Sequence, residues 1–260
     1  MGHIHLGTLP RSRLWQDVVG LLEDRASVEE VAAATARAAE KSLLDASRDP
    51  VFVEAVRLLV NIPIAARQPD FGDALRRVDL EVGSAPSLMD IIAAATFRLD
   101  RTMAGTGKQT DLADLATRAL SASFVAQIGS DLPSLFGPSA EEVRLSFKKF
   151  SYTNGMAVLC RSFFGNLVGS SLSYWLDRGL SQHIGAEKRF VGIGQKADFD
   201  RALHLHTVEA TRIIQEFSGG WVGKQIHDKG SIETPDARDF AHVCLRKVVE
   251  ELRVRRGVHA

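Results

Sequence analysis

Apolar residues recur along the chain at spacings of three and four, and no segment keeps the strict alternation of a half-buried strand. Residues 12–24 put Leu14, Val18, Leu21 and Leu22 on one helical face behind Ser12 as N-cap. Ser27 to Glu30 fits a capping box, in which the serine oxygen and the glutamate carboxylate each satisfy an orphan backbone N–H, ahead of an Ala-rich helix to about Ser47. Asp49-Pro50 opens a third helix with apolar positions at Val51, Val53, Val56, Leu59 and Val60, expected to end or kink before Pro63. A short helix follows Pro69. The turn from Gly83 to Pro86 then leads to a start capped at Ser87, with Leu88, Ile91, Ile92, Ala95 and Leu99 as its stripe. Thr110 and Asp111 begin a helix carrying Leu112, Leu115, Leu120, Phe124 and Ile128.

The segment from Ser130 to Ser139, with two prolines and a glycine, is the best boundary in the chain. After it, Ser139 to Glu142 repeats the capping box and opens a helix to about Phe150. Tyr152 to Ile184 is the most apolar long stretch, and Gly185 is expected to close it. A loop through residues 186–197 leads to a helix from Asp198 with Phe199, Leu203, His206, Ala210, Ile213 and Phe217 on one face, interrupted at Gly219-Gly220. A short turn then places Trp221 as an exposed loop aromatic. Thr234-Pro235 starts the last helix, with Phe240, Val243, Cys244, Val248 and Leu252 facing the core. The pattern predicts an all-α array of about ten helices around a long, mostly buried central helix over residues 153–184. An N-terminal helical subdomain (1–133) is expected against a C-terminal bundle (138–260), as two units or one continuous domain.

A helix apolar on most of its circumference must be buried in protein or in lipid. Met156 to Leu176 is long enough to span a bilayer, and Gly165-x-x-x-Gly169 is a spacing that lets helices approach closely. Its one formal charge, Arg161, costs about 2.5–3.5 kcal/mol near the centre of a spanning helix, and Asn166 and several serines add to that. In a protein core the same glycines make a groove for a crossing helix, and Arg161 pairs with a carboxylate or carbonyl. The core reading is therefore favoured. A membrane-active protein that releases residues 156–176 is the alternative.

Composition changes this picture little. With 45% hydrophobic and 25% charged residues, the chain has an ordinary globular balance. Net charge is zero, but residues 1–137 hold 14 Lys+Arg against 18 Asp+Glu and residues 138–260 hold 18 against 14. That mild polarity could orient a partner, and it falls short of the basic excess of a nucleic-acid binder. Lys148-Lys149 and the cluster Arg246, Lys247, Arg253, Arg255 and Arg256 are accounted for by helix ends, where cations meet the negative pole. Cys160 and Cys244 lie in apolar helical patterns and read as buried free thiols of a reducing compartment. The first residues lack a signal peptide's apolar core, so a cytoplasmic location is expected, and the Ala- and Arg-rich wording fits a bacterial source.

Candidate chemistry is sparse. Gly105 to Thr110 resembles part of a phosphate loop but has Thr102 and Gln109 where that loop needs glycine and Ser/Thr. Gly192 to Ala197 fits a dinucleotide fingerprint in letters only, because no second strand follows; it reads as an interhelix loop. His204 and His206 point to opposite sides of a helix, unlike a zinc pair, and His206 reads as a core histidine. Glu209, Arg212 and Glu216 share a face and read as an ion-paired solvated surface. Arg161, His206, Glu209, Arg212 and Glu216 are thus the polar candidates, with no catalytic, cofactor or metal assignment. The expected function is a non-enzymatic protein-interaction component, a subunit or adaptor with a protein partner or self-association. An enzyme or nucleic-acid binder without a recognisable motif is the remaining alternative.

Overall fold

The computed structural model of the chain describes residues 12–107, 110–132 and 137–254. These form an all-α array: α1 (Arg13–Glu23), α2 (Val28–Ala46), α3 (Pro50–Ala65), α4 (Phe71–Arg77), α5 (Leu88–Thr106), α6 (Asp111–Gln127), α7 (Ala140–Lys149), α8 (Thr153–Leu180), α9 (Ile193–Ala210), α10 (Arg212–Lys229) and α11 (Thr234–Val254). Expectations that fall on residues 1–11, Lys108, Gln109, Pro133 to Phe136 or 255–260 lie outside the described residues. These include Arg255 and Arg256.

Several starts follow the capping chemistry of the sequence, although Ser12, which stands at the N-cap position of α1, makes no side-chain cap bond. Ser27 and Glu30 form the capping box of α2, Ser87 and Asp90 that of α5, and Ser139 and Glu142 that of α7. Asp49 does more than cap. Its Oδ1 accepts from the N–H groups of Val51 and Phe52 at 2.9 and 3.1 Å, while Oδ2 accepts the Thr110 hydroxyl at 2.7 Å. Thr110 in turn caps α6, so one carboxylate ties together the beginnings of α3 and α6.

The 28-residue α8 is the centre of the array and packs on α6, α9 and α10. Its glycines are the groove that the spacing predicts. A Cβ at Gly165 would stand 3.3 Å from Thr211 Oγ1, and one at Gly169 would stand 3.0 Å from His204 Nδ1, so α9 and its end lie directly on them. Phe163 stacks on Phe52 of α3 at a centroid distance of 6.2 Å, and Phe164 meets Phe52 and Phe240 of α11 edge to face at 6.3 and 6.1 Å. Buried apolar side chains from both sides of the 130–139 segment belong to one cluster. No helix among the described residues is long and apolar enough to cross a membrane.

Several expectations need correction. Helix α3 does not end before Pro63 but runs to Ala65. Proline inside a helix costs about 3 kcal/mol, and here Leu58 to Pro63 are all buried, so packing holds the last turn in place. Gly185 does not close α8. The helix stops at Leu180, a 3-10 turn covers Ser181–His183, and Gly185 (φ +145°) instead donates to the Phe190 carbonyl at 2.8 Å in the return loop. Helix α9 begins at Ile193, five residues before Asp198, because Gln195 Oε1 reaches back to accept the Val191 N–H at 2.8 Å. The letters of the dinucleotide fingerprint therefore lie in a helical first turn.

The break expected at Gly219-Gly220 falls at Thr211, and α10 is continuous through both glycines. Gly219 marks a close crossing: a Cβ there would be 2.6 Å from the Thr153 carbonyl oxygen at the start of α8. Trp221 is accordingly no loop aromatic. It is half-buried and stacks on Phe240 at 4.6 Å.

Candidate functional site

The polar residues singled out from the sequence gather only in part. Arg161 Nη1 donates to Gln215 Oε1 at 3.0 Å, and Nη2 meets Glu209 Oε1 at 3.4 Å, which is the paired state its position in α8 demands. Glu209 Oε2 also lies 3.7 Å from Arg212. Glu216 is exposed on α10 beyond the break at Thr211 and is in no ion pair among the described residues. Glu209 and Arg212 are more than half exposed, so this is a solvated ion-paired surface without a cleft around it. His206 is half-buried, less enclosed than a core histidine. Cys160 and Cys244 are free and buried. Burial pushes the Cys160 thiol up to about 12, against a smaller opposing effect of its hydrogen bond with Ser218. Burial likewise raises Cys244, so both stay protonated and unreactive.

A second arrangement, which the sequence reading passed over, has far more internal structure. Glu54 lies on the buried side of α3 with only 6% of its surface exposed. Arg57, one turn on, grips it with two parallel bonds, Nε to Oε2 and Nη2 to Oε1, both 2.8 Å. Arg98 of α5 adds a third bond to Oε1 at 2.7 Å. Asp79, in the left-handed region at φ +69°, brings its carboxylate to 3.4 Å from Arg57 and 3.6 Å from Arg98. Burial pushes the Glu54 carboxyl up, but the hydrogen bonds from Arg57 and Arg98 and their charges outweigh it and hold it below the ordinary carboxylate range. The Glu54 partnership raises Arg57 against the opposing effect of its own burial.

Asp79 and Arg98 of this network also line a cleft of about 520 Å³, together with Arg76, Leu80, Glu81, Val82 and Arg101. Arg101 reaches Glu81 at 2.8 Å and lies 5.9 Å over the Phe97 ring. Phe97 and Met89 are 52% and 65% exposed, and Met89, Ala93, Phe97 and Arg101 follow one another at intervals of four along the outer side of α5. The element thus buries Ile91, Ile92, Ala95 and Leu99 and presents an apolar line with an arginine at its end to solvent. Glu54 and Arg57 carry a signal in the sequence, a charge pair spaced i, i+3 in an otherwise apolar helix. Arg98, 44 residues away, carries none. No protein-family model matches this chain, and no curated protein or solved structure matches it either.

Proposed function

We propose that the protein is a non-enzymatic interaction component, a subunit or adaptor of a larger assembly, and that the outer face of α5 is where its protein partner seats. The observation that carries this reading is the line Met89, Ala93, Phe97 and Arg101 beside the arginine-lined cleft. Aromatic residues, Met and Arg are the types enriched in interface cores, where a desolvated anchor supplies most of the binding energy. The partner chemistry follows from the charges. Arg101 spends one N–H on Glu81, an exposed pair worth about 0–1 kcal/mol, so a carboxylate on a partner can take over that guanidinium at little cost. The matching surface is an apolar side chain flanked by Asp or Glu.

The Glu54 network supports the same reading. Arg98 is held by Glu54 and Asp79 from below, which fixes this one arginine of α5 before a partner arrives and lowers its ordering cost on binding. A photo-crosslinking residue at Ala93, in the full chain expressed in its native host, tests it. The expected product is an adduct with another protein whose crosslinked peptide is acidic, lost when Arg101→Glu is added. No adduct, an adduct indifferent to Arg101→Glu, or an adduct only with a second copy of this chain would overturn the partner assignment.

A further inference from the structure

Residues 184–192, between the end of α8 and the start of α9, form a strap over the turn that joins α1 to α2. Two backbone bonds close the strap on itself: Gly185 N–H to the Phe190 carbonyl at 2.8 Å, and Phe190 N–H to the His183 carbonyl at 3.0 Å. Two arginines pin it down. Arg189 donates from Nη1 to the Leu21 carbonyl at 3.2 Å and from Nη2 to the Ala26 carbonyl at 2.6 Å, while Arg25 of the turn donates from Nη2 to the Glu187 carbonyl at 2.8 Å. Leu21 lies in the last turn of α1, where a cation meets the negative pole. The Arg189 guanidinium also lies 4.8 Å from the Phe199 ring of α9 and 5.5 Å from that of Phe190, and both rings are buried.

The clasp is strained and one-sided in charge. Arg25 (φ +55°) and Glu187 (φ +64°), joined by one of its bonds, both have left-handed backbones, a costly conformation that surrounding contacts must hold and that recurs at switch segments. The pinning bonds all end on carbonyls, and Arg189 is in no ion pair among the described residues. His183 stands at the foot of the strap. Its carbonyl belongs to the closing pair, and Lys188 Nζ donates to the adjoining Gln182 carbonyl at 2.7 Å, which brings a further cation beside it. The charged groups facing the half-buried imidazole are Glu23 from α1 and Lys188 and Arg189 from the strap.

We infer that the 184–192 strap is a latch, which protonation of His183 releases from the turn between α1 and α2. A proton there adds a third cation to a place that holds one acid. Burial keeps the His183 imidazole below its ordinary value; Glu23 opposes this, and Lys188 and Arg189 reinforce it. With the folded value lowered, the closed latch has its full stability above the unfolded value of 6.5 and loses it as pH falls through the lower folded one. Release lets Arg25 and Glu187 relax. It also uncovers Phe190 and Phe199, adding them to Val191 and Ile193 of the same segment, which are already 69% and 78% exposed.

Amide hydrogen exchange of the full-length protein, corrected for the intrinsic effect of pH, tests this at about pH 7.5 and about pH 5, on either side of histidine titration. Protection of the Gly185 and Phe190 amides is expected to fall at the lower pH, while that of Phe164 in the middle of α8 holds. His183→Gln, neutral throughout, should keep both strap amides protected at either pH. His183→Lys, charged throughout, should lower their protection already at about pH 7.5 and leave Phe164 unchanged. Strap protection indifferent to pH in the wild type, an equal fall in His183→Gln, full protection in His183→Lys, or a parallel fall at Phe164 would overturn the inference.

Discussion

Gly219 and Gly220 are neighbours in one helix with opposite surroundings. A Cβ at Gly219 would sit 2.6 Å from the Thr153 carbonyl and 3.3 Å from the Ala157 Cβ, whereas one at Gly220 would meet nothing within 4 Å. Backbone oxygen cannot rotate away as a side chain can, so Gly219→Ala forces α8 and α10 apart. We expect it to destabilise by about 1–3 kcal/mol, the usual cost of overpacking. Gly220→Ala should stabilise by about 0.5–1 kcal/mol through helix propensity alone. Urea unfolding of the two variants checks both signs, and a stabilised Gly219→Ala would mean that the crossing is looser than described. At this scale the sequence misled in an instructive way. A Gly-Gly pair reads as a helix break, but one member is glycine because another helix touches it there, a fact of contact that no local pattern encodes.

At the scale of elements, the Glu54 network is what fastens α5 and the left-handed turn at Asp79 to α3. Removing Glu54 would leave Arg57, whose side chain is only 13% exposed, with just the Val78 carbonyl at 3.2 Å and Asp79 at 3.4 Å, and breaking one partner of a buried pair costs up to about 3–5 kcal/mol. Glu54→Gln keeps the shape but loses the charge, so most of that cost should persist. The same network sets a pH dependence. The Glu54 carboxyl is held below its unfolded value of 4.5, so its contribution is fully present above that pH and is lost as pH falls through the lower folded value. The wild-type chain should therefore lose stability below about pH 4.5, with part of the slope absent in Glu54→Gln. Identical slopes in the two proteins would show that the network does not carry the ionisation linkage assigned to it. Elsewhere the elements were well announced. Two capping boxes, the capped start at Ser87 and the Asp49-Pro50 start were legible because a cap needs only residues two or three apart. Their far ends were less so, as at Leu180 and Ala65, where burial rather than local chemistry decides how far a helix continues.

For the whole molecule, the expected division near residues 133–138 meets a core that runs through it. Phe163 of α8 stacks on Phe52 of α3 and Phe164 meets it edge to face, α11 packs on α2, and Asn61 of α3 bonds both the N–H and the carbonyl of Ile232 at 3.1 and 2.9 Å. Trp15 and Trp175 pair at 5.5 Å between α1 and α8, and Trp221 stacks on Phe240 between α10 and α11. Tryptophan fluorescence thus reports both halves, and it should trace the same urea transition as far-UV circular dichroism. Two separated midpoints would instead show two independently stable units.

Taken alone, the sequence determined the class, the capped starts of α2, α3, α5, α6 and α7, the burial of the long apolar segment and the use of Gly165 and Gly169 as a groove. Each of these rests on periodicity or on contacts within a few residues. Tertiary structure alone decided which helix lies in that groove, where α3 and α8 stop, why Gly219 is glycine, and that Glu54, Asp79 and Arg98 meet beneath the exposed line of α5. Those facts depend on residues that are far apart in the chain and are brought together only when the apolar faces close on one another.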